Sequence, residues 1–304
     1  MATLADSLDR LAAVLGEPEG EPVALDAGIT NRNYRARFGG RDLVVRLPGK
    51  DTELLGIDRA AEREANECAA RAGVAPEVAA MLEDPPCLVT VFVEGEAMRS
   101  EQLREPAPLK AVAAALAAVH GCGPVDATFS PFAIVADYAE RTRARGGRVP
   151  AEFERCRVTA GRIETALRRR PHQPVLCHND LLAANFIASA EGLRVVDWEY
   201  AGMGDRYFDL GNFAVNNQLD DEQEEAFLAA YLGQSPTAGE VAALRLMRFM
   251  SDFREAMWAV LQGTISDLEF DFDEYAAQHF ERLGAAEADP RFNVLLEEAG
   301  RAAS

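Results

Sequence analysis

The pattern of apolar residues divides the chain into a part that alternates strands with helices and a longer part that is mainly helical. Leu8, Leu11 and Leu15 recur at helical spacing and predict a helix over residues 5–16, which Gly16 ends. Strand-like runs follow at 23–26, 33–38 and 42–47, then a helical pattern over 58–72 and further strand-like runs at 78–82 and 87–93. Because Gly39-Gly40 joins the second and third runs as a tight hairpin, these strands are expected to form an antiparallel sheet.

Beyond Gly95 the pattern becomes helical. Long helical patterns cover 109–120, 150–170, 221–232 and 241–262. Between them, short strand-like runs at 174–177 and 193–196 each lead toward an acidic residue. The sequence therefore predicts an α+β protein of two lobes: residues 1–94 with a small antiparallel sheet, and residues 95–304 as a larger, mainly helical part.

Composition narrows the class of protein. The chain has 304 residues, 48% of them hydrophobic, which is enough to bury a sizeable core. No apolar run approaches the roughly 20 residues that a membrane span needs, and the first residues carry acids where a signal peptide needs positive charge. A cytoplasmic protein without a membrane partner is expected. The five cysteines are scattered and form no C-x-x-C pair, so neither a disulfide framework nor a zinc site is indicated.

The formal charge of −19 argues against nucleic acid as a partner, because phosphate binding requires a basic surface. An acidic chain suits a cationic small molecule. The negative charge is explained equally well by a need for solubility, without any cationic partner.

One segment carries recognisable chemistry. His178, Asp180 and Asn185 stand in the pattern H-x-D-x-x-x-x-N, and Asp197 follows the next strand-like run. This pattern matches the catalytic loop and the metal-binding aspartate of kinases. An aspartate must orient the attacking hydroxyl and take its proton, while carboxylate and amide oxygens suit Mg²⁺. Each residue alone is readily explained by a turn or cap, but the set, placed after two apolar strands, predicts phosphoryl transfer.

The runs HNDLLAANFI and VVDWEYAGMGDRYFDLGNFAVNN resemble the bacterial branch of the choline/ethanolamine kinase family, which is related to the aminoglycoside phosphotransferases. The likeness extends from about Val23 to Leu283. It implies a two-lobed protein kinase-like fold with ATP between the lobes. It also implies that Asp180 is the catalytic base, that Asn185 and Asp197 bind Mg²⁺ and that Glu199 assists a second metal ion. His178 is expected to support the loop by hydrogen bonding, and Asp209 either to brace it or to cap a helix.

The nucleotide-binding residues are expected in the first lobe. Gly28, Thr30 and Asn31 lie between two strands, where they can approach phosphate oxygens or simply form a hairpin turn. The resemblance places Arg46 where protein kinases have their phosphate-binding lysine, and it places Glu64 as the acid that orients Arg46, with Glu62 and Glu67 as competitors. The stretch from Val91 to Val93 resembles the family's hinge, where backbone groups of Val91 and Val93 meet adenine.

The acceptor-binding residues are expected in the second lobe. Tyr200, Trp258 and Tyr275 fall on aromatic positions of the family, which suit an alkylammonium group through cation–π contacts. The alternative is that they are core aromatics. Two residues depart from the family: Glu255 replaces a tryptophan and Phe272 a tyrosine. An acid at 255 can accept hydrogen bonds from a primary or secondary ammonium, which choline does not offer.

The resulting prediction is a kinase that uses ATP and Mg²⁺ to phosphorylate the hydroxyl of choline, ethanolamine or a related amino alcohol. An aminoglycoside-type antibiotic phosphotransferase and a pseudokinase that only binds a ligand are the alternatives. An amine-bearing alcohol is thus the expected partner, with assembly as a homodimer left open.

Overall fold

The computed structural model describes residues 3–25, 31–169 and 173–301. Five strands form an antiparallel sheet in the order β1-β2-β3-β5-β4. They are β1 (Val23–Leu25), β2 (Asn31–Phe38), β3 (Arg41–Pro48), β4 (Val78–Glu83) and β5 (Pro86–Val91). Gly39 and Gly40 both have positive φ, at 55° and 74°, and Phe38 pairs with Arg41 across them. This pairing confirms the predicted hairpin. Glycine suits its two-residue turn because both positions need a positive φ.

Two helices accompany this sheet, α1 (Leu4–Leu15) and α2 (Arg59–Arg71). Thr3 and Asp6 form a capping box at the start of α1, and the Asp58 side chain accepts hydrogen bonds from the amides that open α2. Leu11 of α1 packs with Leu43, Val45 and Val89 in the core of the sheet. The apolar spacing of α1 thus serves to cover one face of the sheet.

The larger part of the chain is mainly helical. Its helices are α3 (Ser100–Leu103), α4 (Pro106–His120), α5 (Pro131–Ala144), α6 (Glu152–Leu167), α7 (Arg206–Asn216), α8 (Asp221–Leu232), α9 (Ala238–Ile265), α10 (Phe272–Ala288) and α11 (Arg291–Ala299). Its strands are β6 (Gly95–Ala97), β7 (Val175–Cys177), β8 (Phe186–Ser189), β9 (Gly192–Val195) and β10 (Gly202–Gly204). The last five strands form two small sheets, β6-β8-β9 and β7-β10.

The long helix α9 is the centre of this lobe, since α5, α7, α10 and α11 all pack against it. Gly211 of α7 allows one of these contacts to be close. A Cβ atom at this position would lie 2.8 Å from the backbone nitrogen of Arg248, so any larger residue would push α7 away from α9. This spacing matters because α7 also supports the loop that follows β7.

The α+β class with a small antiparallel sheet and a larger helical lobe is confirmed. The strands and helices that were predicted are present within a few residues. The helices α3, α5 and α11 and the strands β6, β8 and β10 were not predicted, and strands of three or four residues carry little periodic pattern. Across the described ranges, no helix combines the length and apolarity that crossing a membrane would require.

Candidate active site

The loop after β7 is fixed by Asp209 of α7. The buried carboxylate of Asp209 accepts hydrogen bonds from the amides of His178 at 2.8 Å and Asn179 at 2.7 Å. Asn179 has a φ of 67°, so the chain turns sharply here and needs this support. Asp205, not Asp209, caps α7. The structure thus supports the bracing role for Asp209 over the capping one.

His178 holds the same loop from its other side. Its Nε2 donates to the carbonyl of Val196 at 2.9 Å, and its Nδ1 accepts from the amide of Asp180 at 3.2 Å. These partners require a neutral ring protonated on Nε2, and burial lowers the pKa of His178 accordingly. The supporting role predicted for this histidine is confirmed.

Asp180 lies at the tip of this loop. Burial raises the pKa of its carboxyl to about 7; Arg254 opposes this rise, while the nearby charges of Glu255 and Asp197 add to it. The Asn185 side chain donates to the carbonyl oxygen of Asp180 at 2.8 Å, which ties the two ends of the predicted motif together. A carboxylate with a pKa near neutrality is suited to accept a proton from a hydroxyl.

Asp197 follows β9 with a φ of 69°, again a left-handed backbone conformation in a residue that carries a side chain. Its Oδ1 accepts from Nη1 of Arg46 at 2.6 Å, and the same nitrogen lies 2.8 Å from Oε1 of Glu62. Arg46, on β3, therefore reaches from the sheet lobe to the metal-binding candidate of the helical lobe. The choice of Glu64 as its partner was wrong, because Glu62 occupies the inward face of α2, whereas Glu64 accepts from the amide of Asp126.

Glu199 lies in a second contact between the lobes. Its Oε2 accepts from Nδ2 of Asn31 at 2.8 Å and from Nη1 of Arg59 at 3.3 Å. Burial and the charge of Asp197 raise the pKa of Glu199 to about 8. Arg59, which also pairs with Glu62 at 2.7 Å, was missed by sequence reasoning. Its position three residues before Glu62 on one helix was the available signal.

A cavity between the sheet and the helical lobe has two of these charged residues, Arg46 and Asp197, in its lining. Most of the lining is apolar, and the apolar residues include Leu25, Val44, Leu88, Val91, Phe92, Val93, Ile187 and Val196. The amides of Val91 and Phe92 donate to the carbonyls of Glu77 and Asp42, and the Val91 side chain packs against the core of the sheet, so the Val91 amide is already engaged within the protein. The predicted positions Gly28 and Thr30 lie outside the described residues.

The predicted acceptor residues contact one another, and a neighbouring arginine connects them to Asp180. Trp258 Nε1 donates to the hydroxyl oxygen of Tyr200 at 3.1 Å, and the Trp258 and Tyr275 rings lie edge to face with centroids 6.1 Å apart. Tyr275 donates to Glu255 at 3.2 Å. Arg254, which sequence reasoning did not consider, connects this group to Asp180, with Nη1 of Arg254 3.5 Å from Asp180 Oδ1.

The oxygen atoms of Asn185 and Asp197 are of the kind that binds a magnesium ion. Asn185 uses its amide nitrogen for the Asp180 carbonyl, which leaves the amide oxygen for a metal ion. Asp197 engages Arg46 through one carboxylate oxygen and has a second oxygen to offer. Such hard oxygen ligands are typical of Mg²⁺ sites. Glu199 is a weaker candidate, since Asn31 and Arg59 already bind its Oε2.

The fold and this arrangement define a phosphotransferase that acts on an alcohol group. The sequence profile of the phosphotransferase enzyme family matches residues 22–249 of the chain. A structure of a choline/ethanolamine kinase family protein from Mesorhizobium loti superposes with a TM-score of 0.84 at 30% identity, covering 97% of this chain and 98% of that one. The chain therefore belongs to the phosphotransferase enzyme family and, within it, to the choline/ethanolamine kinases.

Two further relatives agree with this placement. Ethanolamine kinase 2 of Mus musculus is 29% identical over 286 residues, which covers 83% of this chain and 72% of the mouse protein. The structure of the choline kinase LicA from Streptococcus pneumoniae has a TM-score of 0.76 at 23% identity and covers 91% of this chain and 95% of that one. At that identity the second likeness bears on the fold alone.

Proposed function

We propose that this protein transfers the γ-phosphate of ATP to the hydroxyl of a small amino alcohol, the class that includes ethanolamine and choline. The observation that carries the proposal is that Asp180 contacts Asn185 and, through Arg254, the Tyr200 ring, while Asp197 lines the apolar cavity. In this proposal residues 1–94 form the nucleotide-binding lobe, and residues 95–304 form the catalytic and acceptor-binding lobe. The mouse relative, an ethanolamine kinase, supports the amino alcohol as acceptor.

The nucleotide is proposed to bind in the apolar cavity, with adenine against Val91 and Val93. Its phosphates then lie toward Arg46 and Asn31, at the end where Asp197 stands. Arg46 is a fixed cation whose planar group suits phosphate oxygens, and Glu62 and Asp197 hold it in place. Glu64 is not retained as its partner.

Catalysis is proposed as direct transfer without a phosphorylated enzyme intermediate. Asp180 orients the acceptor hydroxyl and takes its proton, and the braces from His178 and Asp209 fix the carboxylate in place for this step. Asn185 and Asp197, with Glu199 as a further candidate, would hold Mg²⁺, which when bound neutralises charge on the phosphates. Arg46 adds fixed positive charge at the same place.

The acceptor is proposed to bind among Asp180, Tyr200, Glu255, Trp258 and Tyr275. Contacts join these residues into one continuous group with Asp180 at one end. Aromatic faces and a carboxylate next to the base suit a hydroxyl and an amine separated by a short chain.

The test is to incubate the purified protein with ATP and Mg²⁺ and to offer ethanolamine, choline and a panel of aminoglycosides separately. We expect ADP release that depends on an amino alcohol, with the phosphorylated product identified by ³¹P NMR. Turnover with aminoglycosides alone would replace this proposal by antibiotic modification. Binding of nucleotide without turnover of any acceptor would favour the non-catalytic alternative.

A further inference from the structure

A buried cation already lies inside the proposed acceptor site. Arg254, in the middle of α9, is only 1% exposed. Its Nη1 donates to the carboxylate of Glu255 and lies 3.5 Å from Oδ1 of Asp180. Its guanidinium carbon is 4.2 Å from the centroid of the Tyr200 ring. Arg254 is therefore placed where a cationic substrate group would otherwise meet this ring.

This position changes what the aromatic residues can do. A cation–π contact needs the face of a ring, and Arg254 covers one face of Tyr200. The Tyr200 ring is also held in place, because its hydroxyl accepts from Trp258. A quaternary ammonium has no N–H group and depends on aromatic faces for its binding. The face of Tyr200 that Arg254 covers is therefore closed to a choline-type ligand, which depends on such faces more than a primary amine does.

Glu255 can accept further hydrogen bonds while it is paired with Arg254. Arg254 donates to one carboxylate oxygen of Glu255, and the Tyr275 hydroxyl donates to the other. An ionised carboxylate offers about four acceptor positions, so two remain for a ligand after these contacts are counted. A primary ammonium can donate to them, whereas a trimethylammonium cannot.

We propose that Arg254 is a specificity-determining residue that makes this enzyme select alcohols with a primary amine over alcohols with a quaternary ammonium. It does so by covering the Tyr200 face and by orienting Glu255 as a hydrogen-bond acceptor. This inference rests on the proposed function, because it concerns which amino alcohol the same site accepts.

The first test uses the unmodified enzyme and a series of acceptors with increasing methylation: ethanolamine, N-methylethanolamine, N,N-dimethylethanolamine and choline. We expect kcat/KM to fall along the series and to be at least about tenfold lower for choline than for ethanolamine, because choline cannot donate the charged hydrogen bond to Glu255. Choline turnover equal to or better than that of ethanolamine would overturn the inference while leaving the proposed function intact. Absence of turnover with all four would overturn the proposed function itself, and the inference with it.

The second test separates Arg254 from Glu255. Glu255→Gln alone should lower ethanolamine turnover without improving choline, because Arg254 still covers Tyr200. The double variant Arg254→Met/Glu255→Gln avoids an unpaired buried charge and exposes the ring face. Because Arg254 also lies next to Asp180, the measure is the ratio of kcat/KM for choline to that for ethanolamine, and we expect this ratio to rise relative to Glu255→Gln. If the double variant and Glu255→Gln have the same ratio, Arg254 does not determine specificity.

A matched control comes from the same helix. Arg248→Met/Glu224→Gln removes another ion pair of α9 that involves a buried glutamate. It should reduce thermal stability but leave the ethanolamine-to-choline ratio unchanged. Arg254→Lys, which retains the positive charge, should keep the preference for ethanolamine more fully than the double variant does. Circular dichroism melting of each variant verifies that it is folded, and the methylation series tests the inference even if the double variant does not fold.

Discussion

Arg46 and Asp197 are joined by a contact of 2.6 Å between Nη1 and Oδ1, although they belong to different lobes. Glu62 holds the same nitrogen from α2 at 2.8 Å. Arg46 and Asp197 both line the cavity proposed to hold the nucleotide, so Arg46 links the sheet lobe to the residues proposed to hold the metal ion. Arg59 extends the link to Glu199.

Substitution of Glu62 tests which acid orients Arg46. Glu62 is 1% exposed and binds both Arg46 and Arg59. Glu62→Gln should therefore weaken nucleotide binding and lower kcat/KM for ATP by about tenfold or more, which corresponds to the loss of one charged hydrogen bond. Steady-state kinetics with varied ATP measures this. Glu64→Gln, on the same helix, is the matched control and should stay within about twofold, because Glu64 pairs with the Asp126 amide instead of Arg46 and glutamine can still accept this hydrogen bond. Equal effects of the two variants would contradict the pairing.

Asp180→Asn tests the proposed base. We expect phosphate transfer to fall by about 10²–10⁴-fold, the usual contribution of a general base, with nucleotide affinity largely unchanged. Turnover and a nucleotide-binding titration measure the two quantities separately. Asp137→Asn, an exposed aspartate of α5, serves as the control. Near-normal turnover of the Asp180 variant would refute the role of base.

Asp209→Ala tests the brace of the catalytic loop. The change leaves the buried amides of His178 and Asn179 without their acceptor, at about 1–3 kcal/mol for each group. We expect a lower melting temperature together with a lower kcat. Asp205→Ala removes the cap of α7, which costs about 1 kcal/mol, and should lower stability while kcat is retained. If the two variants lose kcat equally, the loop does not depend specifically on Asp209.

Variation of the metal ion tests the proposed ligands. A chelator should abolish turnover, and added Mg²⁺ should restore it. Asp197→Asn removes a negative oxygen ligand and should raise the Mg²⁺ concentration for half-maximal activity and for metal-dependent nucleotide binding. Glu199→Gln should change both much less, because Asn31 and Arg59 already bind this carboxylate. A larger effect at Glu199 than at Asp197 would reverse this assignment.

The sequence was most informative where the chemistry is local. Asp180 and Asn185 lie five residues apart on one loop, so the motif itself places them together, and Asp197 follows the next strand-like run that the structure contains. The hairpin at Gly39-Gly40 and the helices α1, α2 and α8 were equally readable, because periodicity and turn residues act over short distances.

Only the tertiary structure decided which distant residues meet. Glu62 and Glu64 are equivalent in sequence, and the rotation of α2 against β3 selects Glu62 for Arg46. Arg254 gave no local signal of function, and Arg59 gave only its spacing of three residues from Glu62. Both arginines can be buried because carboxylates neutralise their charges in the fold. Glu199 pairs with Arg59, and Asp180 and Glu255 pair with Arg254. The sequence by itself determined the reaction class, because the residues of the motif lie close together in the chain, whereas the packing of α9 against the catalytic loop determined the surroundings of the proposed acceptor site.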